Sequence, residues 1–185
     1  MLIVRHARLL PIATDPIEDG YLVAHEGVIH AMGPMTACPG PQSGDTVFDA
    51  GGRVVMPGLV DAHCHVGVFG DGIGFEGDDG NEMTDPVTPH LQAIDGIHHA
   101  DRGFEEARAG GVTTVVTGPG SANVIGGQFA ALKTHGRTVD EMAFRVPCAM
   151  KIAFGENPKS VYHEKHQTPT TRMANPPRTA DGRPD

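Results

Sequence analysis

Short apolar runs, each closed by glycine, proline or aspartate, set the pattern of the first third of the chain. Leu2 to Ile12 reads as a strand or hairpin. Tyr21-Leu22-Val23-Ala24 and Val28-Ile29-His30-Ala31 flank the turn His25-Glu26-Gly27. After a loop at Pro39-Gly40-Pro41 and Ser43-Gly44, strand-forming residues return at Val47-Phe48-Asp49 and Arg53-Val54-Val55-Met56, around Gly51-Gly52. The pattern predicts a β-rich opening over residues 1–56, with a boundary at Pro57-Gly58.

Beyond that boundary the period changes. Leu59 to Val66 is an apolar strand interrupted by Asp61, His63 and His65, which period-two alternation aims to one side. A Gly/Asp-rich loop, Gly70 to Asn81, is followed by an amphipathic helix from Asp101 to Gly111. Val112-Thr113-Thr114-Val115-Val116-Thr117 is a β-branched strand, Gln128 to Lys133 reads as a short helix, and Phe144 to Phe154 as a further strand region. Strand, helix, strand, helix, strand is the rhythm of a parallel α/β fold. A closed (β/α)8 barrel takes about 250 residues, and residues 57–173 supply only about three strand–helix steps. The last stretch, 174–185, has no apolar stripe and is expected to be a disordered tail. The chain is therefore read as a fragment.

Composition narrows the function classes. The net charge of −9, from 14 basic and 23 acidic side chains, leaves no clustered cations to track phosphates, so nucleic acid is set aside as a partner. Arg5, His6 and Arg8 break the apolar start before a signal-peptide core forms, and no run reaches membrane-spanning length. The three cysteines, Cys38, Cys64 and Cys148, are too widely spaced for a disulfide framework or a zinc knuckle, which suits a reducing cytoplasm. The 25 glycines and 15 prolines fall between apolar runs, as turn punctuation does, and favour a small β domain followed by βα units.

The residues that can carry chemistry cluster around His63 and His65. Two imidazoles one residue apart on a strand point into the same space and can chelate one divalent ion. Paired histidines on a strand are more often structural. Here the pair ends an apolar strand and is followed by Gly67 and a long loop, at the carboxyl end of a parallel strand, where α/β barrels build their sites. Asp61 shares the parity and can orient a histidine or be structural, while Cys64 alternates away and is expected to pack in the core. The segment after the second strand, with Gly118, Ser121 and Asn123, has glycines that let backbone amides approach a substrate oxyanion; such loops are usually plain turns. The acidic loop with Asp71, Glu76, Asp78, Asp79 and Glu82 reads as solvated charge. His163-Glu164-Lys165-His166 reads as an exposed loop, and His90, His98 and His99 have no evident partner.

The run Val55-Met56-Pro57-Gly58-Leu59-Val60-Asp61-Ala62-His63-Cys64-His65 resembles the first barrel strand of the amidohydrolase superfamily. Glu26-Gly27-Val28-Ile29 and Asp49-Ala50-Gly51-Gly52-Arg53 resemble the turns that lead into that barrel. The resemblance covers residues 1–173 and is nearest to the imidazolonepropionase-like and dihydropyrimidinase/dihydroorotase-like branches. It implies an α/β fold with a β-sandwich part over 1–56 and the first βα units of a metal-dependent barrel over 57–173. It further implies a hydrolase of amide or cyclic-amide C–N bonds that uses metal-activated hydroxide, with His63 and His65 as metal ligands. Met150-Lys151-Ile152-Ala153-Phe154-Gly155 resembles the segment carrying a carboxylated lysine in several members, which makes Lys151 a candidate ligand and catalytic residue. Its alternative is a lysine whose ammonium reaches solvent or a carboxylate. Glu156 is a weaker contender. Zinc is the first choice of metal, with iron, manganese or nickel as alternatives.

The implied partner is a small-molecule substrate, with no nucleic acid and no membrane, and unclosed barrel edges allow an oligomer. The family draws further ligands from later strands that this sequence does not contain. A rival reading follows, in which the chain is an inactive truncated product or a metal-binding relic without turnover.

Overall fold

The structure, a computed structural model, describes residues 1–70 and 74–174. Its contacts divide the chain into two compact units, Met1–Pro57 and Gly58–Asp185. The tail expected over 174–185 lies, from residue 175 on, outside the described residues, as does Asp71.

The first unit is one five-stranded sheet. Strands β1 (Leu2–Leu9), β2 (Ile17–His25) and β3 (Val28–Pro34) form an antiparallel meander. Strands β4 (Thr46–Asp49) and β5 (Val54–Val55) both lie parallel to β1 on its other edge. The β2–β3 hairpin closes through Glu26 and Gly27, with φ of 48° and 76°, as the two-residue type I′ loop demands. The apolar residues of β1 serve both faces of the sheet. Ile3 packs with Tyr21 and Val23, whereas Val4, Ala7 and Leu9 pack with Ala50. Where the resemblance implies a sandwich, the described residues show a single sheet. Strands β4 and β5 extend the sheet from β1.

The second unit is built on a four-stranded sheet in the order β6 (Leu59–Cys64), β7 (Val112–Thr117), β8 (Ile125–Lys133), β9 (Ala143–Ile152). Between β6 and β7 lie α1 (Ala93–Gly96) and α2 (Arg102–Ala109), and β6 and β7 are parallel. Helix α2 starts where Asp101 accepts a hydrogen bond from the Gly103 amide at 2.6 Å, and it gives way to β7 through Gly111 at φ 90°. Its Phe104 is 3 % exposed and packs with Val115, Ala130 and Leu132 on one face of the sheet, with Val68, Ala93, Ile97 and Met142 completing the core. Two short helices follow, α3 (Val139–Met142) before β9 and α4 (Glu156–Glu164) after it.

The expected parallel rhythm holds for one step only. Residues 128–133 are not a helix but part of β8, which is antiparallel to both β7 and β9. The physical reason lies in the run Phe129-Ala130-Ala131-Leu132, buried at every position. A continuous apolar run carries no period, and helix-favouring alanines point the wrong way when both faces of a strand are to be covered. Gly126-Gly127 before it is a poor helix start, and Gly127 sits at φ 122° with its α-carbon against the Leu91 carbonyl, where a Cβ would come within 2.8 Å. The antiparallel turn has a useful result: β9 runs in the same direction as β6 and β7. All three therefore end on one edge of the sheet.

Candidate metal centre

His63 and His65 arrive at that edge as the alternation of β6 requires, with His63 in the strand and His65 just beyond its last residue. Their rings stand 5.4 Å apart, centroid to centroid, at 79° to each other. The Nδ1 of His65 lies 2.7 Å from the carbonyl oxygen of Gly118, at the end of β7. A carbonyl only accepts, so Nδ1 carries the proton in that bond and Nε2 keeps the lone pair. The Thr117 hydroxyl donates to the Val66 carbonyl at 2.7 Å, which fastens the two strand ends to each other on either side of His65.

Lys151 joins them from β9. Its Nζ is 3.3 Å from His63 Nε2, and the residue is 8 % exposed. Burial pulls its ammonium below the usual lysine range. Among the described residues no carboxylate pairs with it, so the alternative of a lysine neutralised by an acid is not what the geometry shows. His63 and Lys151 line a cleft of about 280 Å³ together with Ala62, Val116 and Phe129.

Other candidates take different places. Asp61 is exposed and accepts from the backbone N–H of His63 at 3.1 Å, so it touches the histidine's main chain and not its ring. Cys64 packs against the core of the second unit, and burial pushes its thiol up, away from a ligating thiolate. Glu156 opens α4, and its carboxylate pairs with Lys159 at 3.5 Å and with Arg172. His163 and Glu164 form the last residues of the same helix, where a loop was expected, although all four residues His163 to His166 are exposed. His90, His98 and His99 are exposed, as are Glu76, Asp78, Asp79 and Glu82.

The loop after β7 divides in role. Gly118 is buried and spends its carbonyl on His65, while Ser121 is half-exposed. Asn123 is 2 % exposed, with its amide fully engaged: Nδ2 donates to the Glu82 carbonyl at 2.5 Å and to the Thr88 hydroxyl at 2.9 Å, and Oδ1 accepts from Tyr162 at 2.7 Å. No polar atom of that side chain is left for a substrate, so its part is to anchor the loop. Tyr162 is fully buried, and its phenol is pushed up to about 12, first by burial and then by Asp85 and Glu82. Sequence reasoning passed over Phe129, Tyr162 and Thr88. None has a spacing signal, because an aromatic or a threonine in an apolar context is ordinary core.

Among the described residues no three His, Cys, Asp or Glu side chains gather in a way that could hold a metal ion. The donor set that does gather is two imidazoles, one with its tautomer fixed, and a buried lysine without an acidic partner. An ammonium cannot ligate, but its carbamate offers anionic oxygens.

No family model matches the chain. Among curated proteins, the amidohydrolase tasK of Hapsidospora irregularis is 38 % identical over 139 residues, 69 % of this chain and 14 % of its own length. An imidazolonepropionase of Paracoccus denitrificans is 40 % identical over 75 residues, 38 % of this chain and 18 % of its own. Among solved structures, an amidohydrolase from Thermotoga maritima superposes with a TM-score of 0.85 at 41 % identity, over 94 % of this chain and 44 % of that one. The chain spans less than half the length of each.

Proposed function

The chain belongs to the amidohydrolase superfamily, and from that premise we propose that His63, His65 and Lys151 are metal-holding residues of a hydrolase acting on carbon–nitrogen bonds of amides or cyclic amides. The observation that carries the reading is the convergence of His63 and Lys151 at 3.3 Å with a tautomer-locked His65 beside them. A bound divalent cation, zinc by preference, supplies Lewis acidity there, making a water more acidic and a carbonyl more electrophilic. His63 and His65 hold it through imidazole nitrogen.

Lys151 contributes through its depressed basicity. Burial raises the share of neutral amine, whose lone pair attacks carbon dioxide. The new N–C bond forms, a C=O electron pair moves to oxygen, and the amine proton leaves to solvent. The resulting carbamate places anionic oxygens beside His63 and removes the unpaired buried cation. Ser121 and the backbone around Gly118 are the part of the β7 loop left to face a substrate. We place the protein in the cytoplasm with a small-molecule substrate and neither nucleic acid nor membrane as partner. The three cysteines are free, and among the described residues no helix is long and apolar enough to cross a membrane. Self-association through the unpaired edges of β6 and β9 belongs to the same proposal.

A second reading, metal binding without turnover, is favoured by one observation: among the described residues no His, Cys, Asp or Glu completes a group of three with His63 and His65. The test is a hydrolysis assay of the zinc-loaded chain on linear and cyclic amides, alongside His63→Ala. Hydrolysis product that disappears in the variant supports the hydrolase. Zinc binding with no product on any substrate supports the second reading.

A further inference from the structure

One side chain lies near every member of the candidate centre, and it comes from the one strand of the second sheet that runs against the others. Phe129 lies on β8, between β7 and β9, and is 5 % exposed. Its ring centroid is 5.5 Å from that of His63, at 69°, and 6.4 Å from that of His65. The Nζ of Lys151 sits 6.0 Å from the same centroid. The His63 ring thus meets Phe129 edge to face, in the manner that aromatic rings prefer, and the His65 ring stands tilted to it at 59°.

Gly118 meets the other side of this ring. A Cβ at Gly118 would lie 2.5 Å from Phe129 Cδ2 and 2.6 Å from Cγ, closer than any real contact. The absence of a side chain at Gly118 is what lets the ring sit beside the backbone whose carbonyl holds His65 Nδ1. His65 is held by its hydrogen bond to Gly118, with the Phe69 ring edge-on at 5.7 Å and the ring that Gly118 makes room for at 6.4 Å.

We propose that Phe129 is a positioning residue of the metal centre, an aromatic brace that fixes the His63 and His65 rings and the Lys151 amine relative to one another, with Gly118 as its matched small partner. The inference rests on the metal-site reading for its effect on metal affinity, and on the geometry alone for its effect on the rings. A brace differs from ordinary core packing in what it controls. Core packing sets how firmly the sheet holds together; the brace sets the orientation of imidazoles that a chelate needs before the ion arrives.

The experiment uses the whole chain, labelled with nitrogen-15, as parent, Phe129→Leu, Gly118→Ala and the double variant. Zinc titration by calorimetry is read beside imidazole nitrogen spectra of the metal-free protein and a urea melt. In Phe129→Leu, zinc affinity is expected to fall about tenfold, and the His63 and His65 signals to broaden or average between tautomers. Gly118→Ala should move the same signals, because its methyl must displace the ring. The double variant should fall short of the sum of the two, since both act through one contact. Imidazole spectra in Phe129→Leu that match the parent, with only the urea midpoint lowered, would overturn the brace. A parent chain that binds no zinc would sink the metal reading, and the metal-free imidazole spectra would still decide for or against the brace.

Discussion

His65 Nδ1 is bonded to the carbonyl oxygen of Gly118, 53 residues further along, at 2.7 Å. One parallel crossover, β6 through α2 to β7, brings the two together, and the bond selects which nitrogen of the ring can face a metal. A single tautomer is therefore expected at His65 in the metal-free chain, protonated on Nδ1. Nitrogen-15 spectra of the imidazoles near pH 8 read this directly. A proton on Nε2 would mean that the Gly118 bond does not exist in solution.

Asn123 ties three segments through one amide: the loop after β7, the Glu82–Thr88 stretch, and α4 through Tyr162. Asn123→Ala leaves the Tyr162 hydroxyl and the Glu82 carbonyl without their partners in a buried setting. A loss of about 2–4 kcal/mol in unfolding free energy is expected from that many orphaned groups. Urea denaturation measures it. A loss under about 0.5 kcal/mol, the range of ordinary surface changes, would show that the network adds no stability.

Tyr162 gives a pH dependence with a defined sign. Its phenol titrates at about 12 in the folded chain against 10.0 for the free group, because burial and the nearby Asp85 and Glu82 disfavour the phenolate. The unfolded chain loses this proton first, so stability from this group is fully present below pH 10 and is lost as pH rises through 12. Two units correspond to about 2–3 kcal/mol. In Tyr162→Phe that alkaline slope should vanish, although the variant begins less stable for want of the bond to Asn123. Parallel slopes in both proteins between pH 10 and 12 would contradict the assignment.

Much of this could be read from the sequence, and the parts that could not fail for identifiable reasons. The hairpin at Glu26-Gly27 and strands β6 and β7 announce themselves through turn chemistry and β-branched runs, and period two already aims His63 and His65 together. The run at Phe129 does not announce itself, because four buried apolar residues in succession have no period. Reading it as a helix hid both the reversal of β8 and the ring that touches the centre. Helix α4 was obscured by Asn157-Pro158, which looks like a turn, yet proline is tolerated in a first helical turn, where its missing N–H has no partner to lose. Asn123 looked like a substrate contact because its strand-end position is right. Only the three-dimensional fold shows its amide facing Tyr162 and Thr88.

Lys151 also allows a chemical test independent of turnover. If its amine takes up carbon dioxide, the intact chain grown with bicarbonate and zinc should carry a carbamate visible by carbon-13 spectroscopy after labelling, absent in Lys151→Met. A labelled signal that persists in Lys151→Met would assign the carbamate elsewhere. No signal in the zinc-loaded parent would return Lys151 to a buried lysine that only donates to His63.

The most direct measurement is zinc binding by the purified chain, compared with His63→Ala and His65→Ala by calorimetry and metal analysis. The account predicts near-stoichiometric zinc on the parent and at least a tenfold loss of affinity, about 1.4 kcal/mol, in each variant, with little change in the urea midpoint of the metal-free proteins. Zinc stoichiometry near zero on the parent, or equal affinity in all three proteins, would contradict it.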